Sequence, residues 1–155
     1  MKHTIFVYGT LKRGYPNAHI GMPQATYRGE HITIDRYPLV IGGPWFTPYL
    51  INEPGNGCQV TGEVYEIGDT ALRDVDELES VHLPNGYRRI KIAVRPIQAG
   101  GTAITNGSAI HDGANMMAWT YLRERNTING IHDGPHDGPM STYPLDPRYV
   151  PGPNR

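Results

Sequence analysis

A single carboxylate on an apolar helix face is the first feature of this sequence that could perform chemistry. Residues 69–79 favour a helix with Asp69 as its N-cap, and apolar side chains repeat there at helical spacing, at Leu72, Val75 and Leu78. Glu79 follows Val75 by four residues, so it shares their apolar face. The other acids of this segment are predicted to face solvent; they are Asp74, Asp76 and Glu77. Because removing a carboxylate from water is costly, Glu79 is either held by structural hydrogen bonds or used for proton transfer.

A short buried strand ends in a glycine turn near the start of the chain. Residues 5–8 are apolar or aromatic, and Gly9 and Thr10 follow them. Glycine permits a positive φ and a close approach of the backbone to a ligand, and successive N–H groups in such a turn can form an anion site. An ordinary strand followed by a turn is the alternative. Tyr15-Pro16 argues against a nucleotide-binding P-loop, because that motif requires Lys-Ser or Lys-Thr there.

Short motifs that include this turn and the end of the helix follow one another in order over most of the chain. They are Phe6-Val7-Tyr8-Gly9-Thr10-Leu11-Lys12-Arg13-Gly14 with Pro16-Asn17, Tyr37-Pro38-Leu39-Val40-Ile41, Pro54-Gly55-Asn56-Gly57, Gly62-Glu63-Val64-Tyr65, Asp76-Glu77-Leu78-Glu79, Gly134-Pro135-His136 and Asn154-Arg155. Together they resemble the γ-glutamylcyclotransferase-like superfamily, and within it most of all the γ-glutamylamine cyclotransferases. Several motifs at compatible spacing are far more specific than one glycine pattern.

The resemblance implies a lyase-type activity, the cyclisation of a γ-glutamyl group that releases 5-oxoproline and a free amine, such as lysine from γ-glutamyl-ε-lysine. The substrate carries its own nucleophile, the α-amine, so no metal or organic cofactor is expected. Two alternatives stay open at this point. One is a cyclotransferase for other γ-glutamyl compounds, including a biosynthetic intermediate. The other is a non-enzymatic module of the same fold that binds a small molecule.

The resemblance also implies which residues form the site. Glu79 is expected to move the proton, on a helix face that already sets it apart. Tyr87 and Arg88 are expected to shape the pocket, although the Tyr-x-Arg spacing of some relatives would select Arg89 instead. Backbone N–H groups of the glycine turn are expected to hold the glutamyl carboxylate or the developing oxyanion; this turn comprises Tyr8, Gly9, Thr10 and Leu11.

The elements that must position these residues are mostly short strands. Strands are predicted near residues 25–34, 37–41, 59–67, 87–95 and 115–122, and a loop insertion near 96–113. With one firm helix, they predict an α+β fold in a single domain over residues 1–155, a small and mostly antiparallel β-barrel with wrapping loops. Residues 125–155 are predicted to be an irregular tail packed on the barrel, anchored by Tyr143, Leu145, Tyr149 and Val150.

Other residues that could perform chemistry are interpreted structurally. A Gly-Pro pair between His132 and His136 prevents the helix that would bring both to one face, so no metal site is predicted. Cys58 begins a strand without a histidine motif beside it, and is predicted to be a packing residue. An aromatic cluster either packs in the core and its rim or forms a wall for the apolar part of a ligand; it contains Trp45, Phe46 and Tyr49.

Composition narrows the partners and the compartment. A net charge of −1 over 155 residues gives no electrostatic reason to expect nucleic acid or an anionic membrane as partner. The opening residues contain too short an apolar stretch for a signal peptide, and no run is long enough to span a bilayer. A single cysteine cannot form an internal disulfide, which favours a cytoplasmic location. The expected partner is a small γ-glutamyl substrate, and the sequence does not indicate an oligomeric state.

Overall fold

The computed structural model describes residues 1–18, 24–97 and 115–151. Within these ranges the chain forms eight strands, one α-helix and two 3₁₀ turns. The strands are β1 (His3–Val7), β2 (Thr26–Thr33), β3 (Leu39–Gly42), β4 (Thr47–Leu50), β5 (Thr61–Ile67), β6 (Arg88–Pro96), β7 (Met116–Leu122) and β8 (Asp137–Met140); the helix α1 is Asp69–Leu78, and the 3₁₀ turns are Arg125–Thr127 and Ile131–Asp133.

Five of the strands close into a small barrel in the order β1-β5-β2-β6-β7. β1 pairs with β5 in antiparallel register from His3 opposite Ile67 to Val7 opposite Glu63. The ring closes where β1 lies parallel to β7, with Ile5 opposite Trp119. The predicted α+β architecture of a mostly antiparallel barrel with one helix is therefore confirmed.

A second sheet lies outside the barrel, and part of it contradicts the sequence-based prediction. Its order is β4-β3-β8, so the segment 125–155 contains a strand and is not wholly irregular. The prediction that residues 115–122 form the last strand is wrong for the same reason. β8 contains Gly138 and Pro139, which give no strand pattern, and it is a strand because the edge of β3 offers it hydrogen-bonding partners.

Alternation along β1 separates two layers of apolar packing. Ile5 and Val7 join a cluster with Leu72 and Val75 of α1, whereas Phe6 belongs to a second cluster with side chains of other barrel strands, among them Val64, Val94 and Ala118. Each layer thus fixes one side of the strand that leads into the glycine turn.

The tail is anchored by fewer side chains than predicted. Tyr143 is completely buried, whereas Leu145 is 56% exposed, so Leu145 is not an anchor. Tyr149 and Val150 are half-buried. Tyr143 also accepts a hydrogen bond from the buried ammonium of Lys12 through its carbonyl oxygen, at 2.9 Å, which ties the tail to the segment after the glycine turn.

The N-cap of α1 lies one residue earlier than predicted. Gly68 is the N-cap, and Asp69 lies in the first turn, where Oδ1 contacts Nε2 of His3 at 2.6 Å. The prediction of Asp69 as N-cap is therefore wrong; no side-chain hydrogen bond caps the helix, and the Asp69 carboxylate pairs with His3 instead. Leu72 and Val75 are buried as predicted.

Two predictions fall wholly or mainly outside the described residues. The loop insertion near 96–113 overlaps the described chain only up to Ile97, and the closing Asn154-Arg155 pair lies beyond it. Across residues 1–18, 24–97 and 115–151, no helix is both long enough and apolar enough to cross a membrane.

Candidate active site

A pocket of about 310 Å³ lies where the glycine turn meets the end of α1. Its wall also includes the start of β4, the segment between α1 and β6, and the end of β7. The side chains and backbone that matter below are those of Gly9, Pro48, Glu79, Tyr87, Arg123 and Tyr149. Segments far apart in sequence therefore form one cavity.

Glu79 occupies the C-cap position of α1, where the helix stops against the pocket. Its N–H donates to the carbonyl of Val75 at 2.9 Å, and its carbonyl accepts the N–H of Tyr87 at 3.1 Å. The following residue, Ser80, turns the chain away with a left-handed φ of 54°. These backbone contacts hold the Cα of Glu79 firmly, so that the carboxyl group reaches the cavity from a fixed position.

The environment of the Glu79 carboxyl favours its neutral form. Burial among protein atoms raises its pKa to about 7, and the Arg123 guanidinium opposes that shift. The residue as a whole is only half-buried because one side of it lines the pocket. A carboxyl with a pKa near neutrality can both accept and return a proton.

Asp76 does not face solvent, which corrects the prediction made for it. Its Oδ1 accepts the hydroxyl hydrogen of Tyr121 at 2.8 Å and lies 3.4 Å from Nε of Arg89. Its side chain is 25% exposed. Asp74 and Glu77 are exposed as predicted. Helical periodicity placed Asp76 on the solvent side, but its partners from β6 and β7 decide its orientation.

The glycine turn forms part of the pocket wall. Asn17 N–H donates to the Thr10 carbonyl at 2.8 Å and Lys12 N–H to the Gly9 carbonyl at 3.1 Å, which closes the turn. In the described part of the chain, the N–H groups of Gly9, Thr10 and Leu11 themselves donate no hydrogen bond. Such unpaired amides at a pocket wall suit an anionic oxygen.

Gly9 is required for a different reason from the one predicted. Its φ lies outside the left-handed region, so the expected positive-φ turn is wrong. Instead, a Cβ added at Gly9 would lie 3.0 Å from Cγ of Pro48. Glycine is favoured here because a Cβ at this position would press on Pro48 of β4.

Comparison with known proteins agrees with this geometry. The family model described as "Gamma-glutamyl cyclotransferase, AIG2-like" matches residues 5–138. This chain belongs to that family. It is 36% identical over 140 residues to the γ-glutamylaminecyclotransferase of Rattus norvegicus, covering 85% of this chain and 91% of the relative, and 33% identical to that of Mus musculus, covering 97% and 98%. The crystal structure of an AIG2-like protein from Mus musculus superposes with a TM-score of 0.78 at 30% identity, covering 99% of both chains.

In this member of the γ-glutamyl cyclotransferase family, two predicted tyrosines serve as walls of the pocket. Tyr8 donates its hydroxyl hydrogen to the Tyr121 carbonyl at 2.7 Å, and Tyr87 donates to the Pro48 carbonyl at 2.9 Å. Burial raises the pKa of both phenols well above the usual value. Both hydroxyl groups are therefore neutral and already hydrogen-bonded. What these two residues contribute to the pocket is the shape of their rings.

The predicted arginines are not part of the pocket wall. Arg88 is exposed, and Arg89 lies beside Asp76 with its guanidinium 4.6 Å from the centre of the Trp119 ring. The arginine that lines the pocket of this cyclotransferase-family chain is Arg123, immediately after β7, which the sequence-based reasoning missed. No local pattern identifies it, because the aromatic rings beside its guanidinium come from β4 and from the residue before β6.

Asn17 and Tyr149 were also missed as pocket residues. Nδ2 of Asn17 donates to Oγ1 of Thr10 at 2.8 Å and to the hydroxyl oxygen of Tyr149 at 2.9 Å. Asn17 is 7% exposed. The Pro16-Asn17 motif was the available signal, since Asn17 follows the glycine turn that it holds in place.

The aromatic cluster is divided between two surroundings. Tyr49 lines the pocket and stacks on Tyr87 with ring centres 5.9 Å apart, whereas Trp45 is 38% exposed. Phe46 stacks on His136, whose Nε2 contacts the Gly43 carbonyl at 2.8 Å. Both readings of the cluster thus apply to different members. In the three described ranges, no group of three or more His, Cys, Asp or Glu side chains is arranged to hold a metal ion.

Proposed function

We propose that this protein cyclises γ-glutamylamines to 5-oxoproline and a free amine, with Glu79 as general base and then general acid. One observation carries the proposal: a carboxyl whose pKa is about 7 lines the same pocket as a turn with unpaired backbone amides. Proton transfer and stabilisation of an oxyanion are the two functions that the cyclisation requires of a protein.

The first step activates the nucleophile. An α-amine arrives mainly as an ammonium, with a reference pKa of about 7.7–8.0, and must lose a proton before it can attack. Glu79 takes that proton because its pKa of about 7 is close to that of the ammonium. An ordinary glutamate, near pKa 4.3, would be a much weaker base.

The second step forms and breaks bonds to the γ-carbon. The amine nitrogen attacks the γ-carbonyl carbon and closes a five-membered ring, and the carbonyl oxygen becomes an oxyanion. N–H groups of Gly9, Thr10 and Leu11 are the donors available to hold that oxygen. The protonated Glu79 returns its proton to the leaving nitrogen as the bond from the γ-carbon to that nitrogen breaks. The ring nitrogen still carries one extra proton, which the Glu79 carboxylate removes and passes to the released amine, so that 5-oxoproline and an ammonium leave. No other reactant is consumed.

Positioning contributes the remaining rate enhancement. The amine and the carbonyl belong to one molecule, so the pocket needs only to fold the substrate back on itself. Well-oriented intramolecular reactions can gain about 7–11 kcal/mol in this way. Neutral walls such as the rings of Tyr49 and Tyr87, which stack on each other, suit that task.

The leaving amine is assigned from relatives. Proteins of rat and mouse that are 36% and 33% identical to this chain are named γ-glutamylaminecyclotransferase. Substrates such as γ-glutamyl-ε-lysine are therefore proposed ahead of other γ-glutamyl compounds. We place the protein in the cytoplasm because Cys58 is its lone cysteine and is unpaired.

The proposal is tested by incubating the purified protein with γ-glutamyl-ε-lysine, other γ-glutamylamines, γ-glutamyl amino acids and glutathione, and measuring 5-oxoproline by mass spectrometry. Formation of 5-oxoproline fastest from γ-glutamyl-ε-lysine is expected. A faster reaction with γ-glutamyl amino acids or glutathione would change the assigned leaving group. Binding of these compounds without any 5-oxoproline would favour the binding-module alternative.

A further inference from the structure

Arg123 is a cation in the pocket that forms no ion pair with an acidic side chain of the described residues. Among the described residues that line the cavity, it is the only lysine, arginine or histidine. Within the same part of the chain, no carboxylate oxygen lies within 4.0 Å of its nitrogens. A partly buried guanidinium without a counter-ion is costly unless an anion joins it when a ligand binds.

The guanidinium of Arg123 is also held in place. Nε donates to Oγ1 of Thr127 at 2.9 Å, and Nη2 donates to the Thr127 carbonyl at 3.0 Å. The rings of Tyr49 and Tyr87 lie with their centres 5.1 and 5.3 Å from the guanidinium carbon. These contacts leave Nη1 without a partner among the described residues. A planar donor group fixed in this way is preorganised for a carboxylate.

Glu79 does not take the place of the missing anion. It lines the same pocket and responds to the charge of Arg123, yet the two side chains form no ion pair. A carboxyl whose burial favours its neutral form is a poor counter-ion for a permanent positive charge. The pocket therefore combines a fixed cation with a nearby proton acceptor.

The substrate class of the proposed function has a matching pair of groups. A γ-glutamyl group carries its α-carboxylate and its α-amine on one carbon atom, so a site that binds the carboxylate also delivers the amine to a group close by. We propose that Arg123 binds the α-carboxylate of the γ-glutamyl substrate and of the product 5-oxoproline, and thereby directs the α-amine to Glu79. This inference rests on the proposed function, because it takes the substrate class from it.

The assignment separates two roles that the sequence left together. The amides of the glycine turn then remain available for the oxyanion. The α-carboxylate of the substrate is bound instead by Arg123, immediately after β7. It also gives a specificity rule. Compounds in which the α-carboxylate is amidated or absent are poor ligands, whatever their leaving amine.

The test compares two lactams that differ only in the carboxylate, 5-oxoproline and 2-pyrrolidone, by isothermal titration calorimetry. The wild-type protein is expected to bind 5-oxoproline at least about 10-fold more tightly than 2-pyrrolidone, because hydrogen bonds between charged groups contribute enough free energy for such a difference. Arg123→Met should remove that preference and leave the affinity for 2-pyrrolidone unchanged. Arg125→Met is the matched control: Arg125 is exposed and pairs with Glu53 away from the pocket, so this variant should keep the preference.

Two results would overturn the inference: equal binding of both lactams by the wild-type protein, or a preference that survives in Arg123→Met. If Arg123→Met does not fold, Arg123→Lys is the second variant, because it keeps the charge but loses the planar guanidinium. A reduced preference for 5-oxoproline in that variant supports the inference, and an unchanged preference overturns it.

A second readout is the pH profile of kcat/KM. Removing Arg123 should move the acidic limb of this profile to higher pH, because Arg123 lowers the pKa of Glu79. A moved limb with an unchanged preference would show that Arg123 only tunes Glu79.

The binding measurement needs no turnover, so its failure is distinct from failure of the proposed function. Absence of 5-oxoproline from every γ-glutamyl compound would remove the activity. Production of 5-oxoproline by a protein that does not distinguish the two lactams would keep the activity and remove only the role of Arg123.

Discussion

Tyr121 donates its hydroxyl hydrogen to Oδ1 of Asp76 at 2.8 Å, and this bond distinguishes the two acids near the end of α1. Asp76 Oδ1 also lies 3.4 Å from Nε of Arg89. Glu79, three residues on, has no such partner in the described chain and takes its properties from burial. The pairing of Asp76 therefore leaves Glu79 as the acid that is available to a substrate.

Replacing Glu79 tests its role directly. Glu79→Gln keeps the size of the side chain but cannot shuttle a proton, so kcat for 5-oxoproline formation should fall at least about 100-fold. Binding of 5-oxoproline should persist. Glu77→Gln is the control, because Glu77 is exposed on the same helix and should retain nearly full activity. Normal turnover by Glu79→Gln would assign the base to another residue.

The raised pKa of Glu79 predicts a loss of stability with rising pH. Below about pH 4.5 the carboxyl is protonated in the folded and unfolded chains; between 4.5 and about 7 only the unfolded chain loses its proton. The folded state is therefore penalised across that window, by at most about 3 kcal/mol. Urea unfolding at pH 5 and pH 8 should show Glu79→Gln gaining stability relative to wild type as the pH rises. A constant difference would contradict the shifted pKa.

Gly9→Val should reduce activity through Pro48. The Cβ position already lies 3.0 Å from Cγ of Pro48, so a branched side chain must push the turn and β4 apart and displace the free amides. Turnover should fall at least about 10-fold if one oxyanion donor moves away. Gly55→Val is the control: φ there is +98° and a Cβ meets nothing within 4 Å, so stability falls by about 1–2 kcal/mol while kcat is kept. Equal kcat for both variants would refute the packing argument.

The contact of Asn17 with Thr10 and Tyr149 predicts a graded series. Asn17→Ala removes two hydrogen bonds of a buried amide and should lower the free energy of unfolding by about 1–3 kcal/mol and also lower kcat. Tyr149→Phe removes one of them and should have a smaller effect on both. Asn56→Ala, at an exposed turn, should change neither. The idea fails if Asn17→Ala matches Asn56→Ala in stability and in rate.

Turnover should be unaffected by EDTA. The substrate supplies the nucleophile, and Glu79 together with the amides of the turn supplies the remaining chemistry. His136, one of the two histidines considered as metal ligands, contacts the Gly43 carbonyl and stacks on Phe46. The measurement is the rate of 5-oxoproline formation before and after dialysis against EDTA. A loss that zinc restores would bring His132 and His136 back as ligands.

The sequence predicted the parts of the site that depend on local pattern. Helical spacing placed Glu79 on the face of Leu72 and Val75, and the strand-turn pattern placed Gly9 in a turn, which lines the pocket. The barrel followed from many short strands; of the apolar residues that alternate along residues 87–95, Ile92 and Val94 are buried and Ile90 is half-buried.

The parts that were missed depend on partners far away in sequence. Arg123 was not predicted because its ring contacts come from Tyr49 and Tyr87, and Asp76 was misplaced because Tyr121 lies 45 residues further on. The reason for Gly9 was wrong because Pro48 belongs to another strand. A periodicity read along the chain contains no information about such contacts.

The bond from Lys12 to the Tyr143 carbonyl has a consequence for how the protein is made. The two residues are separated by 131 positions, and both side chains are buried. A ribosome produces Lys12 well before Tyr143, so the growing chain keeps the segment after the glycine turn without its acceptor until the residues between them have been made. That segment therefore cannot reach its final order before Tyr143 has been added.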